Sequence, residues 1–283
     1  MHPICLLSTF HYSSRLHLSG GIMRSYFTPL TLLFGSFLTT IAQADTQLLV
    51  TTSANQGAQV QLTYPTAVRL EQAVQDGLVQ LPKYNKTTSN ETVPIYWLGA
   101  ALLDIQNTAV LENKRKEALS ELAKVGEASN DSIYIAKLAK LAQFLRQIKL
   151  GKRVMQPLDL DLIRITDSYN PLLDGRFELV LPPRPTTIVV AGAVARTGSY
   201  EWKLNTSSKD YLAKAQPLEN SDGDFVWIIQ PDGNAIKQPI AYWNAQAQDI
   251  APGAVIYLEF SDLLEDYSTL NANIIELLRN RAL

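Results

Sequence analysis

The sequence predicts an α+β protein: two small sheet-and-helix units of similar order, a helical hairpin inserted in the first, and an amphipathic helix at the C-terminus. Three observations carry this. Apolar residues recur with period two at Leu48 and Val50, then at Val60, Leu62 and Tyr64, as in half-buried strands. Between residues 105 and 151 the spacing lengthens to three and four, as on one face of a helix. From Thr187 onward, short apolar runs separated by Gly and Pro turns return. The 283 residues are 46% hydrophobic and 18% charged, a composition that fills ordinary cores and is unlike that of a disordered chain.

Each element has its local reason. Pro65 stops the first ladder, and Leu70–Gly77 reads as a short helix closed by its glycine. A polar loop with Lys83, Asn85, Lys86 and Asn90 leads to a strand at Ile95–Leu98. Strand, strand, helix, strand is the order of a β-grasp unit. Leu111–Val125 is a helix broken by Gly126, and Ser129, Asn130 or Asp131 caps a second one running to Leu150. Its stripe of Ile135, Leu138, Leu141, Leu145 and Ile148 is a packing face, and Gly151 ends it. Val154–Leu181 returns to strands.

Pro182-Pro183-Arg184-Pro185 is a stiff connector and the expected domain boundary. Thr187–Val194 is a buried strand, and Arg196–Gly198 turns into Ser199–Trp202. Ser208–Lys214 is a short helix and Phe225–Ile229 a strand, with a Gln230-Pro231-Asp232-Gly233 turn after it. Strands at Ile240–Trp243 and Val255–Phe260 complete a second unit whose order repeats the first, as expected of a diverged duplication. The tail, Asp262–Arg281, is a helix with Asp262 as cap and Glu265 three residues on. The expected divisions are therefore 45–182 with an insert at 105–151, 183–260, and 261–283.

Composition excludes most catalytic chemistry from residue 45 onward. The single cysteine is Cys5 and the histidines are His2, His11 and His17, all upstream of that point. Disulfides, zinc sites built on Cys or His, thiol nucleophiles and Ser-His-Asp triads drop out, and no cofactor is expected. Removing Arg15 and Arg24 with the same stretch leaves 23 basic against 27 acidic residues, a balance that argues against nucleic acid as a partner. Met23-Arg24, the apolar run Leu30–Ile41 and Ala42-Gln43-Ala44 have the shape of a secretory signal, 23–44, giving a mature start at Asp45 in the periplasm; 1–22 reads as an upstream extension. That run is shorter than the roughly 20 residues a membrane span needs.

The motifs of the second half are specific. LVLPPRPTTI (Leu179–Ile188), IVVAGAVARTGSY (Ile188–Tyr200), VWIIQPDG (Val226–Gly233), IAYWN (Ile240–Asn244) and PGAVIYLEF (Pro252–Phe260) resemble the GfcC-like capsule-biosynthesis family. The helical insert and terminal helix agree in order, and the first unit in layout. The resemblance implies two soluble-ligand-binding β-grasp (SLBB-like) domains in a periplasmic protein of surface-polysaccharide assembly or export. It also implies kinship with the periplasmic domains of outer-membrane polysaccharide export proteins, and no catalytic activity. The partners it implies are an acidic or neutral surface polysaccharide and an outer-membrane export protein.

The chemistry-bearing residues are weighed on that background. Asp159 and Asp161, with Asp167 and Asp174, suggest paired carboxylates for glycoside hydrolysis, but a solvated turn accounts for them better. Gly192–Gly198 lacks the Lys-Ser/Thr of a phosphate loop. Among the four tryptophans, Trp227 reads as core and Trp243 as a groove wall able to stack on sugar. The resemblance implies a cavity arginine in the first domain; Arg153 is the best match, and Arg164 stays open because the local motif departs. The expected function is a non-enzymatic accessory protein that binds a saccharide or an export-channel component. The alternative is a carboxylate-dependent polysaccharide hydrolase, and a third reading is a structural partner of the channel that touches no sugar. Glu265, Asp266, Asn271, Asn273, Glu276, Arg279 and Asn280 leave the tail helix too narrow an apolar stripe for lipid, so no stable membrane insertion is expected and the helix should fold back on the body.

Overall fold

The computed structural model describes residues 45–54, 57, 59–81, 94–261, 263 and 267–283. The segment read as a secretory signal (23–44), the residues before it, the loop holding Lys83, Asn85, Lys86 and Asn90, and the cap read at Asp262 and Glu265 lie outside them.

The first unit contains strands β1 (Thr46–Thr51), β2 (Gln59–Tyr64) and β3 (Val68–Arg69), then helix α1 (Leu70–Gln80) and strand β4 (Ala101–Asp104). Helices α2 (Ala109–Glu127) and α3 (Ser132–Gln147) follow, with β5 (Lys152–Arg153), α4 (Leu160–Ile165), β6 (Leu172–Leu173) and β7 (Arg176–Val180) closing the unit. The sheet order is β2-β1-β7-β4-β5, with β1 and β7 parallel and the other pairs antiparallel. Alternation places Leu48 and Val50 of β1 against Leu70, Ala73 and Val74 of α1, where Leu102 and Leu179 complete the core. Gly77 does not close the helix as expected. It lies inside α1 where the backbone presses on the sheet, and a Cβ there would stand 3.2 Å from Leu179 and Val50.

The second unit contains β8 (Thr187–Gly192), β9 (Gly198–Glu201), α5 (Ser208–Ala215), β10 (Phe225–Ile229), β11 (Ala235–Pro239) and β12 (Val255–Leu258). Its sheet order is β11-β10-β12-β8-β9, with β8 and β12 parallel. Both sheets therefore run second, first, last, third, fourth strand, with a helix between the second and third. This is one β-grasp topology built twice.

Three segments differ from expectation. Ile95 makes a lone antiparallel bridge to Pro183 and Trp97–Gly99 is a 3₁₀ turn, so the strand starts later, at Ala101. Within Val154–Leu181, Asp159 caps a helix, its carboxylate accepting from the Asp161 N–H at 2.9 Å, and Asp167–Tyr169 forms a 3₁₀ turn. The fourth strand of the second unit is Ala235–Pro239, whose sequence shows no apolar alternation, while 241–244 is a turn.

A third layer comes from α2, α3 and α6 (Leu270–Arg279). The hairpin leaves the first sheet between β4 and β5 but buries its stripe against the second sheet. Ala118, Leu122, Leu138, Leu141 and Leu145 share one core with Ile229, Val255 and Tyr257, and with Leu270, Ile274 and Leu277 of α6. The terminal helix folds back on α2 and β10 and is shorter than the predicted Asp262–Arg281. Its polar residues are anchors. Asn271 Oδ1 accepts from the Tyr257 hydroxyl at 2.8 Å and the Phe260 N–H at 3.0 Å, and buried Asn273 donates to Glu117 at 3.2 Å. Among the described residues no helix is long and apolar enough to cross a membrane.

Candidate functional site

A cavity of about 440 Å³ opens where three segments meet. The 3₁₀ turn after Tyr96 supplies Trp97 and Leu98, the stretch between β5 and α4 supplies Val154–Asp159, and the turn after β10 supplies Asp232. The sequence builds these walls locally. Asp159 caps α4 and so sets Leu158 inward, where it is buried, while Leu162 and Met155 remain exposed at the cavity. The lining is apolar and aromatic with Arg153, Gln156, Asp159 and Asp232 as its polar groups, the composition of a small-molecule pocket.

Arg153 is 8% exposed and is held by carbonyls rather than carboxylates. Its Nε donates to Arg279 O at 3.2 Å, Nη1 to Ala100 O at 3.3 Å, and Nη2 to Pro231 O at 3.2 Å and Arg281 O at 2.6 Å. A guanidinium has five N–H donors, so one on Nη1 is left over among the described residues. Gly233 makes room for this side chain. It sits at φ 87°, and a Cβ there would stand 2.8 Å from the Arg153 Cδ. Burial pushes the Arg153 pKa down to about 10, and the field of Asp232 opposes that shift. Burial also lowers Arg281 to about 10, with repulsion from Arg153 adding to it. Arg281 does not line the cavity, and its Nη2 donates to Gly253 O.

The other sequence candidates lie elsewhere. Arg164 is on α4 with Nε 2.8 Å from Glu71 Oε1, and this hydrogen bond raises its pKa; it does not line the cavity. Trp243 is 76% exposed on the 241–244 turn, beside a fully exposed Tyr242, and does not line it either. Trp227 packs at the edge of the third-layer core, as its strand suggested. Sequence reading missed Met155, Gln156 and Asp232 as wall residues. Asp232 was legible as part of a turn, but nothing in that motif says the turn leans on Arg153. Among the described residues no three His, Cys, Asp or Glu side chains group to hold a metal ion.

Two family models match the chain in succession. Capsule biosynthesis GfcC, N-terminal, matches residues 46–184, and Capsule biosynthesis GfcC C-terminal matches residues 196–282. The uncharacterized protein YjbG of Escherichia coli strain K12 is 30% identical over 188 residues, which cover 66% of this chain and 76% of that relative.

Proposed function

The chain belongs to the GfcC capsule-biosynthesis family, and on that premise we propose that it is a periplasmic, non-enzymatic accessory protein that binds a saccharide during capsule or exopolysaccharide assembly or export. The observation that carries this reading is the Arg153 cavity. The Trp97 ring offers an apolar plane for the C–H face of a sugar, and Gln156 and Asp232 offer donors and acceptors for its hydroxyls. The spare Nη1 hydrogen of Arg153 suits a hydroxyl or an acidic substituent. Asp159 is occupied as a helix cap, which disfavours it as a hydrolytic carboxylate. An outer-membrane export protein is the macromolecular partner that fits this role.

Calorimetric titration with fragments of the producing cell's own exopolysaccharide tests the reading. Binding without release of reducing ends is expected, weakened about tenfold or more by Trp97→Ala through loss of the stacking plane. Release of reducing ends that disappears in Asp159→Asn or Asp161→Asn would replace it with the hydrolase. Binding to the export protein with no affinity for any fragment would leave a purely structural partner. The mature protein recovered from the periplasm is expected to begin at Asp45.

A further inference from the structure

A second hollow of about 700 Å³ is lined mostly by the second unit. Leu98 lines both. The turn after β10 also faces both, giving Asp232 to the first and Gln230 and Asn234 to the second. The two hollows therefore flank this turn and adjoin at Leu98.

The second hollow is rich in hydroxyls and amides, and its one lysine and one aspartate leave it no net charge. Asn205, Thr206, Asn234 and Gln248 line it with side chains that make no hydrogen bond among the described residues. Its two charged residues are of opposite sign: Lys203 is paired with Glu201 at 3.1 Å, and the Asp249 carboxylate adds an acceptor for hydroxyls. Gln230 is committed to the wall, donating to Asp249 O at 2.7 Å and accepting from the Ala251 N–H at 3.2 Å. Free amides and hydroxyls held on a fixed wall match a polyhydroxylated ligand better than a charged one.

Two further features point to a built surface. Trp202 is fixed at the hollow: its Nε1 donates to Ile250 O at 2.8 Å and the Arg184 guanidinium lies 5.3 Å from its ring centroid. Leu204 is 73% exposed, an apolar side chain left in water beside that ring.

We propose that the second hollow is a saccharide subsite in its own right, joined to the Arg153 cavity over Leu98, so that the protein grips several consecutive sugars of a chain. This rests on the saccharide-binding reading of the first cavity and adds to it the length of ligand and a second site of contact. An elongated ligand engaging both hollows gains the affinity of a linked pair, whereas one sugar fills a single hollow.

The test uses the mature chain labelled with ¹⁵N and oligosaccharides released from the producing cell's exopolysaccharide by partial acid hydrolysis, separated by length. The indole N–H signals of Trp97 and Trp202 report the two hollows. Monosaccharides and disaccharides should move Trp97 alone; longer fragments should move both in one titration and bind about 100-fold tighter. Asn234→Ala with Gln248→Ala, both surface changes, should weaken long fragments about tenfold, leave disaccharide affinity unchanged and leave the spectrum folded. Long fragments that move Trp97 and never Trp202 overturn the second subsite while the saccharide-binding function stands. Fragments of every length leaving both signals still overturn both. Independent saturation of the two signals by short fragments overturns the single cleft.

Discussion

Arg153 joins parts of the chain that sequence keeps far apart. Its guanidinium ties Ala100 of the first unit to Pro231 of the second, to Arg279 at the end of α6 and to Arg281 just beyond it. Lysine offers a point charge in place of a fork, so Arg153→Lys leaves buried carbonyls without donors. A loss of about 2–4 kcal/mol in urea unfolding is expected. Gly233→Ala should act on the same contact from below, displacing the side chain and straining a left-handed turn, at about 1–3 kcal/mol. Arg164→Ala should leave the urea midpoint unchanged, because its pairing with Glu71 is open to water. The sequence marked Arg153 as a candidate by residue type and position after the insert. Its wiring was not legible, because backbone carbonyls carry no residue-type signal.

At the scale of elements, caps and buried stripes decide. In α5, Ser207 and Asp210 form a reciprocal capping box, and hydrogen bonds from the Ser207 hydroxyl and N–H hold the Asp210 carboxyl below the usual range. The lowered pKa sets the sign: the cap supports the helix above the ordinary carboxylate range and fails as the pH falls through the lowered value. Carboxyl titration by NMR should show Asp210 moving up toward an ordinary aspartate in Ser207→Ala. In α6, Ile274 is fully buried, and Ile274→Asp should cost at least about 3 kcal/mol or prevent folding; Asn271→Ala, milder in size, should still lower the melting temperature. Most helices and strands were readable because their apolar spacing and caps are local. The failures share a cause: Gly77, Ile95–Leu98 and Ile240–Trp243 carry locally strong signals that a tertiary contact overrides or that no neighbouring strand takes up. Asn271, Asn273 and Asn280 looked like a solvent face and are docking groups, since spacing cannot tell a hydrogen-bonded asparagine from a hydrated one.

For the whole molecule, the repeated strand order was legible and the destination of the insert was not. Periodicity reveals that a helix has an apolar face, never which sheet will cover it. Because α2 and α3 belong to the first unit by sequence and to the second by packing, the two should unfold as one. Urea transitions followed by tryptophan fluorescence and by far-ultraviolet circular dichroism should coincide. A fragment beginning at Thr187 should fail to fold alone, since Ile229, Val255 and Tyr257 would keep α6 but lose the cover of α2 and α3. The same arrangement governs how the protein is made. The ribosome finishes the greasy stripe of the hairpin at Gln147, yet the strands and helix that shield it are not complete until Arg279. Through that interval the nascent chain carries a bare apolar surface, and its safe passage depends on holding chaperones more than on the stability of the finished protein.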